Sequence, residues 1–292
     1  NLSAVTYYIS PSGSNKASGS SVSPWKTLTY ACSRAISGDV IHVKAGTYIE
    51  IVQSVLKVGV SIEGEGDSSY IICRYNNGNE DDMNNAALQL SSASQTIDGN
   101  QSISYIKFDG KLTSRRAIHV KWRNHVEIHH CSFVDFYRGC IHLDGQTSWR
   151  IPPSVWSDGN KVYNNTITNS STYTEGLENM GSIKVTGQIN CEVYNNTVSQ
   201  LTRGVGICGT DLMSIHWIKN TLIHHNNFHS LASATGSPWN FSIESWDCWG
   251  GVEIYSNNFF GSGTISIGGI ETKKTEYTFA VKIYCNEFIL PS

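Results

Sequence analysis

Short runs of alternating apolar and polar residues recur along most of this chain, and one pattern keeps returning. An apolar residue is followed by two variable ones, usually an asparagine, another variable residue and a second apolar one. It reads ISYIKF from Ile103, IHHCSF from Ile128, VYNNTI from Val162, VYNNTV from Val193, IHHNNF from Ile223, IYSNNF from Ile254 and IYCNEF from Ile283. The starts lie roughly thirty residues apart, a period at which each unit buries its apolar face only against its neighbours. Short β-branched runs recur within each unit, and nothing between them sustains a helical period. Helical solenoids are excluded. A propeller blade needs four strands, whereas this unit has room for three short strands and three turns. The pattern predicts an all-β, single-stranded parallel β-helix running as one domain over residues 1–292.

The recurring asparagine, at Asn165, Asn196, Asn226, Asn257 and Asn286, predicts a ladder. Its short amide satisfies backbone groups at a bend, tolerates left-handed backbone and can bond to the amide of the next coil. Ile106 and Cys131 hold the position in earlier coils, so the ladder should begin near the fourth strand set. One segment reads as helix. Ser23 offers an N-cap, Pro24 suits the first helical position, and TLTYACSRAI follows with apolar residues at helical spacing. A helix over about residues 23–37 would cover the open end of the stack and its strand edges. At the other end FILPS follows a ladder strand directly, so a C-terminal cap is expected to be absent or removed, which suggests either a piece of a longer, multidomain chain or a short coil that caps poorly.

Charge narrows the partners. The 21 basic and 24 acidic residues leave a net charge of −3 with no basic run, so a footprint for nucleic acid or an anionic membrane is missing. No apolar run reaches the ~18 residues of a membrane span. The 26 glycines, 14 tyrosines and 8 tryptophans suit a β-rich protein that is secreted or held at the cell surface, expected as a monomer. The 8 cysteines are not spaced as CxxC pairs, which removes zinc ribbons and thioredoxin-type sites and favours buried free thiols over a disulfide framework.

The stretches YYISPSGSN and SPWKTLTYACSRAISGDVIHVKAGTY, followed by coils of the VEIYSNNF kind, resemble the secreted right-handed parallel β-helix superfamily of pectate-lyase-like proteins over nearly the whole chain. That superfamily includes polysaccharide lyases, glycoside hydrolases, epimerases, phage tailspikes and adhesins, so the resemblance implies the fold more strongly than the activity. It also implies a substrate groove along one sheet. Within it, GLENMG followed by SIKVTG is similar to the chondroitinase-B and alginate-lyase branch, where a lysine on such a strand follows glutamates. That branch carries an arginine with His-Gly at the end of the next strand, and GVGICG has none; Arg203 stands before that strand.

The strands preceding the ladder align as AIHV (117–120), CIHL (140–143), SIKV (182–185), GVGI (204–207), SIES (242–245) and TISI (264–267). Alternation sends Ile118, Ile141, Ile183, Val205, Ile243 and Ile265 inward and leaves an outer column of His119, His142, Lys184, Gly206, Glu244 and Ser266. Lys121, Asp144 and Thr186 form a second column. Long segments around this face bring Trp149, Trp156, Tyr173 and Trp239, with Trp246 nearby, as flat surfaces for sugar rings.

β-Elimination on a uronate polymer needs a base for the proton alpha to the carboxylate and a cation to neutralise that carboxylate. Lys184, crowded by His119, His142 and Arg203, is the expected base, and Glu175 and Glu178 could hold Ca2+. The reading is therefore a carbohydrate-active protein with a polysaccharide partner, a lyase acting on an acidic glycan. A glycoside hydrolase is the alternative, with a carboxyl pair about 5 to 9.5 Å apart. Asp144 and Glu244 stand too far apart for that, while Glu178 with Glu244 or Glu244 with Asp247 could serve. A non-catalytic glycan-binding or adhesion module is the third reading. The pairs His129-His130 and His224-His225 occupy matching ladder positions, but no carboxylate support is visible in sequence, so stacked surface histidines are the plainer reading. NEDD (79–82) reads as an exposed acidic turn.

Overall fold

A computed structural model of the chain describes residues 3–79, 82–146, 148, 151–170, 181–200, 213–230, 241–261, 265–268 and 281–289. Its successive coils each lay down three strands in the same order. Ile183–Ile189, Glu192–Tyr194 and Thr197–Gln200 are followed by Met213–Lys219, Leu222–His224 and Asn227–Ser230, then by Ile243–Cys248, Val252–Tyr255 and Asn258–Gly261. Each strand pairs in parallel with its counterpart in the next coil. The first strands of the coils build a nine-stranded sheet, and the second and third build a seventeen-stranded one. The fold is an all-β parallel β-helix.

Alternation fills the interior. Ile118, Ile141, Ile183, Met213 and Ile243 stack as one buried column, and Val162, Val193, Ile223 and Ile254 as another. Phe108 and Phe133, and Phe228 and Phe259, stack face to face with centroids 5.4 and 5.3 Å apart. Because every coil repeats the inward positions, one apolar core runs along the stack.

The asparagine ladder is formed. Asn196 Oδ1 accepts from the backbone N–H and the side-chain amide of Asn165 at 3.1 and 3.0 Å, and Asn196 donates in turn to Asn226 Oδ1. The same bonds continue to Asn257 and Asn286, while at the start Cys131 N donates to Asn165 Oδ1. The left-handed backbone does not fall on the ladder residue. It falls one residue earlier, at Tyr105, His130, Asn164, Asn195, His225, Ser256 and Cys285, with φ between +52° and +57°. That preceding residue makes the bend, and the buried asparagine amide ties it together.

The N-terminal helix is shorter than its sequence suggests, Leu28–Arg34, capped by Thr27, whose hydroxyl accepts from Tyr30 N. The Ser23-Pro24 start fails because Trp25 N donates to Tyr8 O, which commits that segment to extended pairing. Glu50 reaches in from the following strand to accept from Leu28 N at 2.7 Å and from Thr29, which satisfies first-turn donors that a helix cannot pair itself. The helix buries Leu28, Ala31 and Cys32 against the first strands. Among the described residues seven cysteines are free, six of them buried, and no helix is long and apolar enough to cross a membrane.

Candidate functional site

The nine-stranded sheet carries the ionisable residues. Its register runs Gln89, His119, His142, Lys184, Ser214, Glu244, Ser266 on successive rungs, with Ser91, Lys121, Asp144, Thr186, His216, Trp246, Gly268 two residues further along each strand. Rungs lie ~4.8 Å apart. His119, His142, Lys184 and Glu244 therefore share one wall. Gly206 lies outside the described residues; the strand beside Lys184 is Met213–Lys219, so Ser214 takes the rung expected for Gly206 and His216 enters the neighbouring column. Distance to the ladder explains the correction, since Ser214 precedes Asn226 by as many residues as Lys184 precedes Asn196.

The column was expected to be an open face, and it is covered. His119 and His142 are 0% exposed, Glu244 1%, Lys184 5% and Asp144 7%. Their side chains point away from the apolar core yet lie out of contact with solvent, so the wall is held together by its own polar bonds.

Two relays of the same composition stand on this wall. His119 Nδ1 lies 3.1 Å from Gln89 Oε1 and its Nε2 3.2 Å from Asp144 Oδ2. His216 Nδ1 lies 3.1 Å from Gln146 Oε1 and its Nε2 3.2 Å from Asp247 Oδ2. Asp247 reaches back because its own backbone is left-handed, φ +51°. Gln146 is placed by a close approach of two glycines: a Cβ on Gly145 would stand 2.0 Å from Gly187 O. Burial pushes both imidazoles below the ordinary histidine value, and the carboxylate partner of each pulls the other way.

His142 sits between the relays and differs from both. Its ring stacks on His119, centroids 4.8 Å apart, and its Nε2 is 3.2 Å from Thr186 Oγ1. Thr186 directs its hydroxyl at Leu143 O or Asp144 Oδ1, so His142 donates from Nε2, and its buried Nδ1 has no hydrogen-bond partner among the described residues. Burial first, then the charges of His119, Arg116, Lys184 and Arg115, hold this imidazole well below the ordinary value of 6.5. It is a neutral imidazole with an unused lone pair, set in a field of cations.

His119, His142 and Asp144 offer three ligand atoms within 4.8 Å of one another. Two imidazoles and a carboxylate suit a transition ion rather than calcium. The stacked rings and the surrounding Arg115, Arg116 and Lys184 oppose a cation there, and the trio does not fit one. Glu175 and Glu178, expected to hold Ca2+, lie outside the described residues, as do Arg203, Trp149, Tyr173 and Trp239. Lys121 is half-buried, its ammonium 4.8 Å from the Trp122 ring centroid. Trp156 packs edge-on against Trp249, centroids 5.3 Å apart, and Trp246 lies within the strand beside His216. The sequence reading missed Gln89, Gln146, His216, Arg115 and Arg116. For His216 the alternation in MSIHWIK was a usable signal; the others needed the register.

No protein-family model and no curated protein matches the chain. Solved structures do. A pectate lyase, Pel9A, superposes with a TM-score of 0.57 at 12% identity, covering 99% of this chain and 77% of the other. XylC in complex with xylose gives 0.60 at 11% identity, covering 98% of this chain and 64% of the other, so the chain spans less than two thirds of that protein. The GH136 lacto-N-biosidase from Eubacterium ramulus gives 0.55 at 11%, covering 98% and 68%. These likenesses, all at 12% identity or less, show the fold alone, a parallel β-helix of the kind these enzymes share.

Proposed function

We propose that the chain is a carbohydrate-active protein that cleaves an acidic polysaccharide by β-elimination on the wall around His142 and Lys184. Neighbours of the same fold include a pectate lyase and a lacto-N-biosidase, which supports glycan chemistry on this scaffold. The observation that carries the lyase reading is the unpaired Nδ1 of a neutral His142 beside Lys184, Arg116 and Arg115. A neutral imidazole accepts the proton alpha to a uronate carboxylate, and neighbouring cations stabilise the charge that develops on that carboxylate. The C–H bond breaks with its proton going to His142 and its electron pair forming a double bond to the next carbon, whose glycosidic C–O bond breaks so that the oxygen leaves with that bond's pair and takes up a proton from water. This moves the base role from Lys184 to His142 and gives Lys184 the carboxylate. His119 and the His216–Asp247 relay act as positioning groups. Because the wall is covered, a sugar chain reaches it only after the wall is uncovered.

Incubation with pectate, alginate and glycosaminoglycans, followed by the absorbance of an unsaturated product, tests the reading. His142→Ala and Lys184→Ala should each abolish the signal, and activity unchanged in both would sink it. Glu175 and Glu178 carry a separate expectation of Ca2+, tested by chelation. The hydrolase alternative rests on Glu244 and Asp247; it predicts reducing ends without unsaturation, lost in Glu244→Gln. The missing arginine motif in GVGICG favours a further reading, a non-catalytic glycan-binding or adhesion module that is retained on a polysaccharide column and releases nothing. A polymeric substrate supports secretion or surface attachment. The helix Leu28–Arg34 is read as the lid of the first coils, and the coil as a unit of about thirty residues.

A further inference from the structure

The seventeen-stranded sheet carries two histidine pairs that the reading above leaves unused. His224 projects from its strand between Tyr194 and Tyr255, with ring centroids 5.2 and 4.8 Å away. His225 follows with φ +55°, and this left-handed turn brings its Nδ1 to 2.8 Å from His224 Nδ1. His129 and His130 repeat the arrangement three rungs earlier, with φ +53° at His130 and the two Nδ1 atoms again 2.8 Å apart.

Two neutral imidazoles at that separation share one proton. Glu192, one coil before His224, fixes where it resides: Glu192 Oε1 lies 3.0 Å from His224 Nε2 and accepts from it, which leaves His224 Nδ1 as a lone pair facing the N–H of His225. This is the carboxylate support that the sequence could not display, because it comes from the neighbouring rung. A first-row transition ion bonds imidazole nitrogen at about 2.0–2.1 Å, so two such ligands at angles between square and tetrahedral stand roughly 2.9–3.4 Å apart. The pair needs to open by only a few tenths of an ångström, and His225 is exposed and can turn its ring. Its displaced proton moves to its own Nε2, so the exchange balances with no change in the charge of either ring.

We propose that His224 and His225 chelate a divalent first-row transition ion, with Glu192 as the positioning residue, and that His129 and His130 form a weaker copy. The second pair is weaker because its outer bond runs the other way: Asn164 Nδ2 donates at 3.1 Å to Nε2 of the second ring, His130, where the first pair has a carboxylate accepting from Nε2 of the first ring, His224. Carboxylate support typically changes metal affinity by about 10–100-fold. Cu2+ is the probe, being the ion such nitrogen sites hold most tightly.

The full chain is titrated with CuCl2, reading affinity by calorimetry and nitrogen coupling by electron paramagnetic resonance. The expected signal shows two nitrogens per tight site. His225→Ala should remove the tighter equivalent and His130→Ala the weaker, and Glu192→Gln should weaken the tighter one by roughly 10-fold. Uptake by the His130→Ala, His225→Ala double variant with wild-type stoichiometry and affinity overturns the chelate. Equal affinities at the two pairs, indifferent to Glu192→Gln, overturn the role given to the carboxylate. His130 and His225 lie at the surface, so loss of binding in their variants does not reflect loss of the fold, which thermal unfolding of each variant checks.

Discussion

On the seventeen-stranded sheet the outward positions hold His129, Tyr163, Tyr194, His224, Tyr255 and Tyr284, a continuous stack with ring planes within 14° of one another and edges open to water. On the nine-stranded sheet the corresponding outward positions hold His119, His142, Lys184 and Glu244, all shut away from it. The backbone is the same in both. The first sheet spends its outer face on contacts that repeat from rung to rung, and neutral rings cost little to order. The second gathers groups whose charged forms are expensive to bury, offset by two Gln–His–Asp relays and left incomplete at His142 Nδ1. Residues that burden the fold without stabilising it mark the wall where chemistry is expected.

The strongest test of this division is on the polar wall. His142→Ala should lower turnover of an acidic glycan by at least about 100-fold, the usual range for losing a positioned proton acceptor, with little change in the denaturant midpoint. On the other sheet the effects should reverse. Asn196→Ala removes the acceptor for two buried donors of Asn165 and the donor to Val162 O, and should cost about 3 kcal/mol in urea unfolding while leaving turnover intact.

Acid should separate the two walls further. An unfolded histidine binds a proton near 6.5, whereas folded His142 resists doing so far below that value. The unfolded state therefore holds more protons as pH falls through 6.5, and stability drops by about 1.4 kcal/mol per pH unit for each such group until the folded imidazole itself is protonated. His119 and His216 act in the same direction. His142→Gln should remove one proton's worth of that slope, seen as a shallower fall of the unfolding midpoint between pH 6.5 and 5. The smallest effect is expected for Tyr194→Ala, which interrupts the aromatic stack and should cost about 1 kcal/mol.

The parts of the molecule that repeat were legible in the sequence. The asparagines at Asn165, Asn196, Asn226, Asn257 and Asn286 each recur at one place in a coil, and a repeated position declares its environment. The rungs joining His119, His142, Lys184 and Glu244 could be read for the same reason. What escaped was set by a single coil: the strand Met213–Lys219, whose alternation resembles that of GVGI and whose rung is fixed by its distance to Asn226, and Gln146, which depends on the meeting of Gly145 and Gly187. Burial of the polar wall was not legible either. Alternation tells which way a side chain leaves its strand and says nothing of what lies over it.

One property of the bends extends past this protein's own chemistry. The corner preceding each ladder asparagine accepts Tyr105, His130, Asn164, Asn195, His225, Ser256 and Cys285, side chains that share no size, polarity or charge. None is branched at Cβ, which is what left-handed backbone excludes. The fold thus carries a graduated rail: seven consecutive stations at a pitch of ~4.8 Å, where one functional group can be exchanged for another while the winding stays unaware of it.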